Sequence, residues 1–248
     1  MRPIMLVHGA WHGAWCWSML QAELDGRGVG TYAIDLPGHG ASDQPLVDLY
    51  GDAGAVASAV GQLGDDVVLV GHSYGGAVVS EAMSRLENVS HVVFVAAFAL
   101  HVGESILSVL RALPRADVGL TEALQSVGLE HLDVAVSPAI TTVTRIDPQR
   151  AVATLYGCTD AEVAEAAVQR LSPQSMDSFA QTVNGSALGV AETTYIRCSR
   201  DDVVHPTHQE AFANRCDYEH VIETDHSPFL SRPSELADLL EPLARATT

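Results

Sequence analysis

The chain contains no lysine: all 13 basic residues are arginine, and 31 acidic residues bring the formal net charge to −18. Without an amine side chain there is no Schiff-base chemistry, no phosphate-cradling P-loop lysine and no Ser–Lys dyad. So acidic a surface repels nucleic acid and anionic membranes, and neither is expected as a partner. Long apolar runs are missing as well; nothing approaches the roughly 20 residues that a membrane span requires. The four cysteines, Cys16, Cys158, Cys198 and Cys216, fit no zinc spacing. They predict reduced, mostly buried thiols, with no metal and no disulfide role. No charged-then-apolar leader precedes the strand-like Ile4 to Val7, so the expected setting is soluble and cytoplasmic.

What is present suffices for one well-packed domain. A chain of 248 residues with 47% apolar content can bury a sizeable core. Strands are expected at residues 3–7, 30–34, 67–70, 91–96, 193–199 and 219–223. Helices are expected at 15–27, 52–63, from Gly76 onward, and at 233–246, the last opening on proline. This alternation predicts an α/β fold, with a mostly parallel sheet of about six strands and helices on both faces.

One interval breaks the rhythm. About a hundred residues separate Ala97 from Glu192, far more than a crossover needs. They carry helical stripes: Ile106, Val109, Leu110 and Leu113; Leu120, Leu124 and Val127; Val163, Ala166 and Ala167. The expectation is a helical cap, residues 99–191, inserted after the fourth strand. It would fold over the sheet's carboxyl edge, above a core of residues 1–98 and 192–248.

The chemistry centres on Gly71-His72-Ser73-Tyr74-Gly75, which follows the apolar Val67 to Val70 and precedes a helical run. A Gly-x-Ser-x-Gly pattern between strand and helix is the setting that lifts a serine hydroxyl off a strained turn as a nucleophile. The helix N-terminus behind it favours negative charge nearby.

Such a serine needs a base to take its proton and a third group to orient that base. In this setting the order along the chain is serine, acid, histidine. His226 lies directly after the last strand and before the final helix, which singles it out among 11 histidines. The acid should close the fifth strand, where Asp201 and Asp202 stand side by side. Asp201 is favoured because it follows the strand and Arg200 directly; Asp202 stays a rival. Asp225 is expected to point away from its neighbour's ring. His8 is read as bracing a loop, His205 and His208 as structural or solvent-facing, and His72 as unable to turn back to Ser73. The oxyanion needs two amide donors, assigned to Tyr74 and, in the loop after the first strand, Ala10. Gly9 lets that loop approach closely. Gly9, Trp11, Phe98 and Phe229 are candidate pocket residues, the aromatics serving equally well as packing.

Taken together, the His-Gly-Ala-Trp-His-Gly-Ala-Trp-Cys-Trp run from His8 to Trp17, the Gly71 to Gly75 motif and the Asp225 to Phe229 ending resemble the α/β-hydrolase superfamily. The nearest branch is that of plant methylesterases and hydroxynitrile lyases, with bacterial pyrethroid-hydrolase-like carboxylesterases. The likeness spans nearly all of the chain and is weakest across the cap. It implies a Ser73–Asp201–His226 triad, an oxyanion hole at Ala10 and Tyr74, a cap over an apolar pocket, and a sheet without the family's first two strands. Lyase members carry a threonine in the oxyanion loop and a lysine after the catalytic histidine. Gly9 and Ser227 stand there in this chain, which disfavours cyanohydrin cleavage. Ser73 in place of a carboxylate nucleophile disfavours haloalkane dehalogenation.

The expected activity is hydrolysis of small to medium apolar esters through an acyl-enzyme, with a small-molecule ester as partner and no cofactor. A homodimer stays open, its interface unreadable. Two other readings share the scaffold. One is cofactor-free C–C cleavage or oxygenation, in which His226 would matter more than Ser73. The other is a ligand receptor that kept the pocket and lost turnover.

Overall fold

The computed structural model describes residues 1–64 and 66–246. Strand β1 (Ile4–Val7) leads through a short 3-10 turn at Ala14–Trp17 into α1 (Ser18–Gly26). Then come β2 (Thr31–Ile34), α2 (Leu49–Val60), β3 (Val67–His72), α3 (Tyr74–Ala82) and β4 (Val89–Val95). The long interval holds α4 (Ile106–Ala112), α5 (Leu120–Ala123), β5 (Leu124–Val127), β6 (Val143–Ile146), α6 (Pro148–Leu155), α7 (Ala161–Val168), β7 (Gln174–Ser175) and α8 (Asp177–Ala180). The chain closes with β8 (Glu192–Cys198), α9 (Pro206–Ala213), β9 (Tyr218–Ile222), α10 (Pro228–Ser231) and α11 (Pro233–Arg245).

Among the described residues the main sheet has six strands in the order β2-β1-β3-β4-β8-β9, and every pairing is parallel. Its middle strands are covered on both faces, which is why Val67 to Val70 can be apolar without alternation. Helix α1 packs on α11, α2 on α3, and α9 on β8. Helix α2 starts at Leu49, earlier than its Ala-rich stretch suggests, because the Asp48 side chain caps it by accepting from the Gly51 amide.

The strand order fixes where chemistry can sit. The sheet grows one way from β1 to β2 and the other way from β3 onward, so its reversal lies between β1 and β3. Open α/β sheets bind ligands outside the carboxyl ends of the strands at such a reversal. Val7 pairs with Gly71, which ends the two strands side by side. The loop starting at His8 therefore runs beside the turn at Ser73.

The inserted interval departs from the purely helical expectation. It contains a three-stranded sheet, β5-β6-β7, with antiparallel pairings. Leu124 and Val127, which share a helical stripe with Leu120, lie in β5 opposite Ile146 and Val143. The local period is outvoted by long-range pairing: α5 ends at Ala123, and the β-branched Val143 and Ile146 become buried as β6 forms.

Candidate active site

Ser73 sits between β3 and α3 at φ 52°, ψ −120°, a left-handed conformation that side chains rarely adopt. Its own backbone holds it there. The Ser73 amide donates to the Val95 carbonyl at 3.2 Å, and the Ser73 carbonyl accepts from Gly76 at 3.0 Å and Phe98 at 3.2 Å. Gly75 is obligatory: a β-carbon there would lie 2.6 Å from the His8 carbonyl oxygen and 2.7 Å from that of Val7. The elbow and the loop after β1 thus touch backbone to backbone. That loop carries Ala10. Among the described residues neither the Ala10 nor the Tyr74 amide donates to a protein acceptor.

At the far side, Asp201 Oδ2 lies 2.7 Å from His226 Nδ1, and both residues are buried. A carboxylate accepts, so Nδ1 carries the proton of this bond and Nε2 is the nitrogen left outside it. Asp201 is held on both oxygens. Oδ1 accepts from the Val203 and Val204 amides at 2.7 and 2.9 Å, and Oδ2 accepts from Gln209 Nε2 at 2.8 Å. Asp202 faces elsewhere, accepting from the Gly119 amide at 2.9 Å. Asp225 also turns away from the ring; its Oδ1 accepts from Ser227 and its Oδ2 from the Cys158 amide.

Gln209 was not singled out by the sequence. It lies in one helical stripe with Phe212 and Ala213 on the buried side of α9, and a polar residue in an apolar stripe is the signal that would have found it.

Four buried histidines surround these groups. His8 accepts from the Leu36 amide through Nε2 and donates through Nδ1 to the Gly9 carbonyl. His72 Nε2 lies 2.8 Å from the His226 carbonyl oxygen, so that nitrogen donates, while Nδ1 is buried without a protein partner. Burial, then His226, lowers the His72 pKa well below 6.5; burial, then His39, does the same to His8. Burial lowers His39 as well and takes His12 to about 4. All four are neutral imidazoles in the fold. The outlying His205 caps α9, and His208 Nε2 donates to the Pro114 carbonyl.

The candidate pocket residues divide. A β-carbon on Gly9 would lie 2.9 Å from Ser73 Cβ, which sets that residue against the nucleophile. Trp11, at φ 63°, donates from Nε1 to Thr144 Oγ1 at 3.2 Å, and the Phe98 amide meets the Ser73 carbonyl. Phe229 is fully enclosed, its ring 4.8 Å from that of Trp17 and 4.9 Å from that of His72, which places it in the core packing against these two rings. Phe179, which the sequence does not single out, stacks on the Tyr74 ring at 5.3 Å; α8 is too short to show a period. The Tyr74 hydroxyl donates to the fully buried Asp52 Oδ2 at 2.7 Å, and burial holds the Asp52 pKa well above its usual value.

Among the described residues no helix is long and apolar enough to cross a membrane, and all four cysteines are free. A parallel α/β sheet presenting a serine on a strained strand-to-helix turn defines the class as that of the nucleophile-elbow proteins. The chain belongs to the alpha/beta hydrolase family, whose model matches residues 4–239. Methylesterase 7 of Arabidopsis thaliana is 30% identical over 98% of this chain and 96% of its own. Norfluorocurarine synthase 2 from a Strychnos species is 32% identical over 96% and 94%. The crystal structure of polyneuridine aldehyde esterase superposes with a TM-score of 0.84 at 22% identity, over 98% of this chain and 99% of that one; the likeness there is one of fold.

Proposed function

We propose that the protein is a serine hydrolase of small to medium apolar carboxylic esters, working through a Ser73–His226–Asp201 triad. The observation that carries this reading is the 2.7 Å Asp201–His226 pair, tied through the His226 carbonyl to His72, the residue preceding a strained Ser73. His226 Nε2 takes the Ser73 proton as the oxygen attacks the ester carbonyl. Asp201 stabilises the imidazolium that forms. The Ala10 and Tyr74 amides receive the oxyanion, assisted by the N-terminus of α3. His226 returns the proton to the leaving alcohol, and water activated by the same nitrogen releases the acid.

In this reading residues 1–98 and 192–248 form the core, and residues 99–191 form a cap that closes the site. Trp11, Phe98 and Phe179 favour an apolar substrate, and a relative named as a methylesterase supports an ester of a small alcohol. The free thiols fit a reducing, cytoplasmic setting.

The test is hydrolysis of p-nitrophenyl acetate together with covalent labelling by a fluorophosphonate. The wild type takes the label and turns over; Ser73→Ala does neither. A wild type that stays unlabelled, or a Ser73→Ala protein as active as its parent, overturns the assignment.

A further inference from the structure

One turn of the cap, Tyr156 to Thr159 between α6 and α7, reaches both halves of the machinery. On the first side, the Tyr156 hydroxyl lies 2.8 Å from His12 Nε2, and His12 Nδ1 lies 2.8 Å from the Ala10 carbonyl oxygen. A carbonyl can only accept, so Nδ1 bears the proton and Nε2 accepts from the phenol. The bond to Ala10 fixes the peptide between Ala10 and the left-handed Trp11, and the His12 amide also donates to the Gly9 carbonyl at 3.4 Å, so His12 braces the two peptides on either side of the Ala10 Cα, the first of which carries the Ala10 amide. On the second side, the Cys158 amide at 2.7 Å and Thr159 Oγ1 at 3.2 Å donate to Asp225 Oδ2. Asp225 Oδ1 accepts from the Ser227 amide at 2.9 Å and Ser231 Oγ at 3.1 Å. Asp225 and Ser227 flank His226 in the chain.

The turn has internal support. The Thr159 amide donates to the Tyr156 carbonyl at 3.0 Å, and Asp160 caps α7 through the Glu162 amide. Tyr156, His12 and Asp225 are all buried, where hydrogen bonds face little competition from water.

We propose that Tyr156, His12 and Asp225 are positioning residues, and that this cap turn is a clasp setting the oxyanion donor and the base in register. The inference deepens the serine-hydrolase reading and rests on it. An amide donor and a base both matter most in the transition state, so loosening the clasp slows the chemical step and leaves substrate binding nearly unchanged.

The experiment uses the full chain, p-nitrophenyl butyrate kinetics and the rate of fluorophosphonate labelling. Tyr156→Phe removes one hydroxyl. His12→Asn keeps a donor for the Ala10 carbonyl but has nothing for Tyr156. Thr159→Val, at a half-buried position, tests the other arm with little risk to folding. Tyr156→Phe and Thr159→Val should each lower kcat about tenfold, with KM inside about twofold and labelling slowed in parallel. The Tyr156→Phe/His12→Asn double variant should be no slower than either single one, because both cut the same link.

Unchanged kcat in Tyr156→Phe and Thr159→Val overturns the clasp. So does a loss confined to KM, or multiplication of the two losses in the double variant. A wild type that takes no label instead fells the serine-hydrolase reading itself, and the clasp with it.

Discussion

His72 Nε2 lies 2.8 Å from the carbonyl oxygen of His226, joining the residue before the proposed nucleophile to the proposed base across the sheet's edge. The bond explains a histidine that has no proton to transfer: its lowered pKa keeps it a neutral donor through Nε2. His72→Leu should leave the His226 carbonyl unpartnered, at about 1–3 kcal/mol of stability, and lower kcat about tenfold as the loop loosens. His72→Gln, which can present an amide N–H at the same reach, should recover most of the rate. Urea unfolding and steady-state kinetics on a p-nitrophenyl ester check both.

Asp201 and Asp202 are neighbours with separate partners. Asp201→Asn should lower kcat by about 10³–10⁴, because an amide in that place favours the wrong imidazole tautomer. Asp202→Asn should keep wild-type kcat and change stability by no more than about 0.5 kcal/mol, since the asparagine oxygen can still accept from Gly119. Kinetics on the two variants side by side decide which carboxylate orients the base.

The buried histidines make the fold sensitive to acid. His12 titrates at about 4 in the fold, and His8, His72 and His39 are also lowered, whereas each titrates near 6.5 when unfolded. Lowered imidazole values mean that the unfolded chain binds more protons in this window. Their stabilisation is complete above about pH 6.5 and is lost as pH falls toward the folded values, at up to about 1.4 kcal/mol per pH unit for each ring. Urea midpoints should drop steeply between pH 6.5 and 4, and His12→Asn should flatten that slope.

Asp52 carries the opposite dependence. Its raised pKa keeps it protonated in the fold while the unfolded carboxyl ionises near 4, so stability declines as pH rises from there through the folded value. Asp52→Asn keeps an acceptor for the Tyr74 hydroxyl and removes the titration. Its stability relative to wild type should therefore increase with pH. Asp52→Ala removes the titration too, but should lie about 1–3 kcal/mol below Asp52→Asn at every pH, because it leaves that hydroxyl without an acceptor. Thermal melts from pH 4.5 to 8 distinguish the two.

Most of this architecture can be read without coordinates, because parallel strands buried on both faces appear as unbroken apolar runs and the elbow announces itself between strand and helix. Position along the chain singles out Ser73 and His226 as candidates, and narrows the acid to Asp201 or its neighbour Asp202. What escapes reading is whatever depends on a partner far away in sequence. Leu124 and Val127 keep a helical spacing yet pair with β6. Gln209 is an ordinary polar residue until α9 turns it onto Asp201. Phe229 stands three residues after the proposed base in sequence, but the short helix α10 aims it into the core against Trp17. Backbone acceptors such as the Ala10 and His226 carbonyls leave no trace in residue types at all.

Gly9 gives the most exacting check on the oxyanion assignment. A β-carbon there would stand 2.7 Å from His72 Nδ1 and 2.9 Å from Ser73 Cβ, closer than such carbons come to anything. Neither neighbour can yield. Ser73 is pinned by three backbone hydrogen bonds, and the His72 ring is pinned by the His226 carbonyl. In Gly9→Ala the loop itself must recede, drawing the Ala10 amide away from the place where the oxyanion forms. The expected result is a loss of about 10²–10³ in kcat, with fluorophosphonate labelling slowed in step. Gly9→Thr, starting from the same β-carbon with more atoms beyond it, should be slower still and should gain no cyanohydrin-cleaving activity. If Gly9→Ala keeps both rates within about twofold of wild type, the second oxyanion donor is not Ala10 and must be sought elsewhere in the loop after β1.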